Sequence, residues 1–242
     1  MPAITRPARM HPRWMLVAAA LLYWVIARLL PFGGTILYPL TLFTTWVHEM
    51  GHGLAAVMVG GHFHQLAIFA NASGLATTSS PDGWARAAVS AGGLLAPPLL
   101  GAAILAFAHT PRRARVALAV LAGALVLSLA LWVRSTVGLV AMPAVAGLLG
   151  WAASRGFARA PGRRVLLAQF LGVVLALDTL TRLDYVFTEK VSIGGQDRLS
   201  DVAVFAQNAG GHHLLWGLLF ALVACGLLAL GLWRAWSRPA PL

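Results

Sequence analysis

Residues 36–59 read ILYPLTLFTTWVHEMGHGLAAVMV, an apolar run with His48, Glu49 and His52 set in its second half. A run of that length and apolarity fits a helix crossing a bilayer. On a helix, residues four apart share a face, so His48 and His52 turn toward the same point and can hold one metal ion. Glu49 projects beside them, where a carboxylate can take a proton from a water activated by the metal. The bland alternative is a polar patch satisfied by neighbouring helices. Against it stands the cost of ionisable side chains inside a membrane span, where they usually mark function.

The composition around this run agrees with a membrane setting. The 242-residue chain is 59% hydrophobic and 10% charged, with a mean hydropathy of +0.78. A soluble domain carries about a quarter charged residues. The chain therefore reads as one membrane-embedded domain over residues 1–242, its catalytic core at about 36–205. No room is left for a separate soluble module. The net charge is +11, and 17 of the 18 basic residues are Arg. These Arg sit at the ends of apolar runs: Arg6, Arg9 and Arg13; Arg112, Arg113 and Arg115; Arg155, Arg159, Arg163 and Arg164; Arg234 and Arg238. That is the pattern of topology signals and headgroup anchors, and it argues against nucleic acid as a partner. The single cysteine, Cys225, excludes an intrachain disulfide and reads as a packing residue.

Seven apolar runs are long enough to count as spans: 14–31, 36–59, 85–108, 115–133, 137–154, 164–187 and 212–234. Several are short or Gly-rich, so the expected fold class is an all-α polytopic membrane protein with six to seven transmembrane helices. The first run is long for a signal peptide and lacks a small-residue cleavage site, and it reads as a retained span. Between the second and third runs, residues 60–83 change character. Two short alternating or β-branched pieces flank Asn71-Ala72-Ser73-Gly74, which suggests a β-hairpin over 62–78; an ordinary loop fits equally well. The third run contains Gly92-Gly93 and Pro97-Pro98, so it reads as a kinked, broken or re-entrant piece. If re-entrant, it lets all four Arg clusters face one side, which the charge rule mildly favours.

Catalytic zinc usually takes three protein ligands and leaves a position for water. No H-E-x-x-H-x-x-G-x-x-H extension follows His52, and Glu189 is the only other Glu. The first choice for the third ligand is Asp178, about fifteen residues, or roughly 22 Å, into the sixth run. His48 lies roughly 16 Å from the Val59 end of its own run, so both fall near mid-bilayer if those ends share a side. An Asp at that depth needs a partner, either the metal or Arg182 one turn later. Asp201 is the fallback, with a helix-capping role for Ser200 or Asp201 as its alternative. Asp184 would lie nearer the membrane edge, and Asp82 in Ser-Pro-Asp-Gly reads as a turn residue. His62 and His64 fit one face of the hairpin, while His109 and His212-His213 lie at run ends. Asn71 can steady a tetrahedral oxyanion or simply hold the turn.

Together these residues resemble the M50 membrane metalloproteases of site-2 protease type, in particular the short bacterial M50B-like branch. The resemblance rests on His48-Glu49-Met50-Gly51-His52-Gly53-Leu54-Ala55-Ala56, with support from the Gly60-Gly61 hairpin, Ala91-Gly92-Gly93, Leu177-Asp178 and Ser200-Asp201-Val202-Ala203. It runs from about residue 40 to about 225. It implies Zn2+ on His48 and His52, Glu49 as general base, and cleavage of peptide bonds in or near transmembrane segments of other membrane proteins. It also implies a multi-pass location in a bacterial cytoplasmic membrane. The family's second motif, Asn-x-x-Pro followed by Asp-Gly, is missing here: Thr179 follows Asp178, and no Asn-x-x-Pro precedes it.

The expected function is thus a zinc-dependent intramembrane endopeptidase. Gly51 and Gly53 would keep the helix slim beside the metal or serve helix packing. Two other classes remain open at this point: a non-proteolytic scaffold or regulator that keeps a metal site, and a small-solute transporter built on broken helices. Intact Glu49 argues against the first, and the lack of paired half-sequences against the second.

Overall fold

A computed structural model describes residues 12–154, 161–181 and 183–237. The elements in chain order are α1 (Pro12–Leu29), α2 (Gly33–Ile36), α3 (Tyr38–Met58), β1 (His62–Ile68), β2 (Gly74–Ser79), α4 (Trp84–Phe107), α5 (Pro111–Leu131) and α6 (Thr136–Ala153). After these come α7 (Pro161–Thr181), α8 (Leu183–Phe187), β3 (Lys190–Ile193), β4 (Gln196–Leu199), α9 (Asp201–Ala209) and α10 (His213–Trp236).

The protein is a polytopic helical membrane protein. Five segments are long and apolar enough to cross a bilayer: α4, α5, α6, α10 and Gly162–Phe187. In α1 the described apolar portion is Val17–Leu29. The 21-residue α3 falls below the same apolarity because it carries the polar site residues. Large apolar side chains that would be a liability in water stand exposed, among them Val120, Leu127, Val140, Leu148, Leu215 and Leu222. Trp151 and Trp233 stand exposed near the ends of α6 and α10, where amphipathic rings suit the headgroup level.

At the centre is α4, which packs against α3, α7, α9 and α10. Its crossings are made thin by small residues. A Cβ on Gly51 would run into the Gly92 carbonyl, and one on Gly92 would meet Ala55 and Gly51. A Cβ on Gly101 would meet Ala176 and Gly172 of α7. Gly51 therefore serves helix packing, and Gly53 makes room for the Phe63 ring of β1.

The third run is neither broken nor re-entrant. α4 is one continuous helix of 24 residues, with Pro97 and Pro98 buried inside it. At 1.5 Å per residue that is about 36 Å, enough to cross the hydrocarbon core. The Pro rings remove two N–H donors from the ladder, and the packed helices around them hold the helix straight enough to continue. The continuous α4 removes the ground for an arrangement with every Arg cluster on one side, which needed a re-entrant third run. Connectivity places the starts of α5 and α7 and the end of α10 at one end of the bundle. At that end Arg164 donates to the carbonyls of Ala152 (2.9 Å) and Ser154 (2.7 Å).

The expected hairpin is present as β1 and β2, paired antiparallel with Leu66 opposite Ala76 and a register irregularity between Phe63 and Gln65. Its β1 edge is covered: the Leu66 N–H donates to the Trp132 carbonyl, and Arg134 N–H donates to Leu66. A second hairpin, β3–β4, was not anticipated. It turns on Gly194 and Gly195, both at positive φ (58° and 80°), as a two-residue turn of type I′ requires.

Two glycines separate packing from propensity. Gly101→Ala is expected to lower stability by about 1–3 kcal/mol, because the new methyl must displace α7 backbone. Gly123→Ala, at a position with nothing within 4 Å, is expected to be neutral or slightly stabilising. Thermal unfolding of the two variants in the same detergent checks the pair.

Candidate metal centre

α3 delivers both histidines to one point. His48 and His52 bring their Nε2 atoms to 3.1 Å from each other. The third member comes from α9. Asp201 places Oδ2 at 3.0 Å from His48 Nε2 and Oδ1 at 3.3 Å from His52 Nε2. Among the described residues, this is the group of His, Cys, Asp or Glu side chains whose ligand atoms all lie within 4.8 Å of one another. The donor set suits a divalent cation such as zinc. Two imidazole nitrogens and a carboxylate converge, and a cation among them offsets the crowding of lone pairs. His52 Nδ1 lies 2.9 Å from the Val89 carbonyl of α4, which fixes the ring and leaves Nε2 for a ligand role. Gly93 permits this approach, since a Cβ there would strike the His52 ring.

Of the two aspartates expected as third ligand, the geometry brings one to the histidines. Asp201, the fallback, meets the histidines; Asp178, the first choice, does not join the group. Asp178 is buried and lines the same cavity. Depth along the chain pointed to it, but lateral position depends on which helix face meets α3, and that is not a sequence quantity. Arg182, the alternative partner for Asp178, and the Asp184 side chain lie outside the described residues. The capping and ligand readings at 200–201 turn out to be compatible. Ser200 Oγ accepts from Ala203 N–H at 3.2 Å and starts α9, which leaves the Asp201 carboxylate free to reach α3. The Asp201 carboxyl is held well below the usual carboxylate range: burial pushes it up, but the neighbouring His52 and His48 rings outweigh that.

Glu49 is 5% exposed and lines the cavity with the histidines. Its Oε2 accepts from the Ala76 N–H of β2 at 2.6 Å. Gly74 lets β2 come this close, because a Cβ there would sit 2.5 Å from Glu49 and 2.7 Å from Thr45. Thr45 in turn donates to the Ala72 carbonyl at 2.9 Å, tying the hairpin tip to α3. Sequence reading missed Tyr185. Its hydroxyl donates to Asp201 Oδ2 at 2.8 Å, and its ring stands edge-on to His48, with centroids 6.3 Å apart. An aromatic residue near the end of an apolar run carries no distinguishing signal. Asn71 is not at the site. It is exposed in the β1–β2 turn, where its Oδ1 accepts from Ser73 N–H at 3.0 Å and Ser73 Oγ at 2.7 Å, so the turn reading applies. His62 and His64 lie exposed on the hairpin, His64 within 3.0 Å of Ser79 Oγ.

These groups line a cavity of about 460 Å³, which also reaches β2 and β3. The cavity thus holds two imidazoles and the Asp201 carboxylate that could together bind a metal, with the buried carboxylates of Glu49 and Asp178 beside them. The model of the Peptidase M50B-like family matches residues 14–231. The chain belongs to the peptidase M50B-like family. Neither a curated protein nor a solved structure matches it. Family membership marks this chain as a membrane metallopeptidase, with His48, His52 and Asp201 as the group that can bind the metal.

Gly74→Ala tests how tightly Glu49 is enclosed. It is expected to cost about 1–3 kcal/mol of stability by overpacking against Glu49 and Thr45. The loss should persist in metal-stripped protein, as thermal unfolding with and without a chelator will report.

Proposed function

We propose that this member of the family is a zinc-dependent intramembrane endopeptidase that cuts membrane-protein substrates in or near their transmembrane segments. The observation that carries the reading is the convergence of His48, His52 and Asp201 beside the buried Glu49, in a cavity bordered by a strand edge. His48, His52 and Asp201 would hold the zinc. When bound, zinc supplies Lewis-acid polarisation of the scissile carbonyl and lowers the pKa of water toward 7.

The chain's own residues supply the rest. Glu49 accepts the proton of the attacking water and returns it to the leaving amine. Ala76 N–H holds the Glu49 carboxylate in place before substrate arrives. Tyr185 orients the Asp201 carboxylate, and the Val89 carbonyl orients His52. The substrate helix unwinds locally and lies extended in the cavity between β2 and β3, where a strand edge can bind its main chain. The setting proposed is the cytoplasmic membrane of a bacterium, with a transmembrane protein as the partner.

The test uses the full chain in liposomes. Native protein and Glu49→Gln are expected to hold the same zinc, while cleavage of single-span substrates falls by about 10²–10⁴-fold in the variant. Equal cleavage by the two forms would sink the reading. Metal analysis separates the two aspartates: Asp201→Asn is expected to lose zinc on dialysis, and Asp178→Asn to keep it. Tyr185→Phe should weaken zinc binding by roughly 10–100-fold, measured by competition with a chelating dye.

A further inference from the structure

We propose that β3, the first strand of the second hairpin, supplies the edge that an extended substrate segment pairs with, across the cavity from β2; this rests on the peptidase reading above. The occupant is an unwound, extended segment of a membrane-spanning protein. The reason lies in which edges face the cavity and which of their groups are already taken.

On β2, the consecutive residues Gly74, Leu75 and Ala76 line the cavity; on β3, so do Val191, Ser192 and Ile193. Side chains alternate along a strand, so consecutive residues line a space only when the strand turns its edge to it. No residue of β4 lines this cavity. The edge of β2 is partly spent. Leu66 directs its N–H and carbonyl to Trp132 and Arg134, away from β2, so its partner Ala76 likewise faces away from β1. The outward Ala76 N–H is the one given to Glu49. A strand entering along β2 meets an amide that the catalytic base already holds.

The edge of β3 is different. Ser200 N–H donates to the Glu189 carbonyl at 2.8 Å, one step beyond the Lys190–Leu199 pair. Alternation then makes Val191–Arg198 and Ile193–Gln196 the hydrogen-bonded pairs, and it turns the N–H and carbonyl of Ser192 away from β4. Ser192 is exposed and makes no hydrogen bond among the described residues. It thus offers one donor and one acceptor at the spacing of a strand edge, in the same cavity as His48 and Asp201. Val191 and Ile193 flank it as half-buried apolar side chains. The two hairpins touch at their tips, where a Cβ on Gly194 would sit 2.8 Å from the Phe69 ring. That contact ties β3 to the hairpin that carries β2.

Proline scanning of the two edges of the second hairpin tests this. Ser192→Pro removes the outward N–H of β3 without touching a ladder bond, and Asp197→Pro does the same on the far edge of β4. The probes are a fluorescent leucine-rich tripeptide hydroxamate and acetohydroxamate, on zinc-loaded full-length protein in nanodiscs. Ser192→Pro should weaken the peptide probe at least tenfold and leave acetohydroxamate and zinc content as in the native protein. Asp197→Pro should change neither. Native-like peptide binding by Ser192→Pro, or an equal loss in Asp197→Pro, overturns the inference and leaves the peptidase reading standing. A second measurement does not depend on the variant's folding: a benzophenone on the same peptide should cross-link the native chain at 190–193. Labelling confined to 62–79 overturns the inference. A native protein that binds neither zinc nor acetohydroxamate removes the peptidase reading, and this inference with it.

Discussion

Two imidazole nitrogens and a carboxylate held within 4.8 Å of one another, inside a protein built for lipid, set the terms for the rest of the structure. Each group is costly to withdraw from water unless it is paired. Pairing here draws on four elements at once. α3 provides the histidines, α4 the Val89 carbonyl, α8 the Tyr185 hydroxyl and α9 the carboxylate. None of these can shift alone without stranding a polar group in an apolar surround. The cluster therefore acts as a registration point for the helices that meet there.

Close approach of backbones makes that registration possible. Gly51 and Gly92 bring α3 against α4, Gly93 admits the His52 ring, and Gly74 admits Glu49. At each place the missing side chain leaves room for a specific neighbour. In a membrane, where lipid is as apolar as leucine, such close packing is a main source of helix association. The same residues that hold the bundle together thus fix the distances in the site. A change made for stability at Gly51 or Gly93 also shifts the residues of the candidate metal site.

The first half of the site was legible in the sequence, because His48, Glu49 and His52 lie on one helix and local periodicity decides what they face. The hairpin was legible for the same reason: its turn residues and alternating flanks are local. Asp201 was harder. Its role depends on a short helix that starts at Ser200 and on the hairpin that delivers it, and the reading favoured Asp178 on depth alone. Depth is one coordinate of three; which face of α7 meets α3 is set by packing. The second hairpin carried a local signal in Gly194-Gly195, both at positive φ, but its flanking strands are only four residues each and too short for alternation to stand out. The continuity of α4 through Pro97-Pro98 was not a local property, since the helices packed around it sustain what an isolated helix would lose.

The contact between Glu49 and Ala76 joins these levels. The general base of the proposed reaction would have to be free to take a proton, yet the Glu49 carboxylate is hydrogen-bonded to an edge-strand amide at 2.6 Å. An extended chain that pairs along β2 competes for that amide, and in taking it would release the carboxylate toward the cavity. Pairing along β3 asks nothing of the base and can hold a chain while the exchange at Ala76 occurs. On the proposed peptidase reading, the two edges that border the cavity would have different duties, β3 holding an extended segment and β2 meeting it at the amide that Glu49 holds.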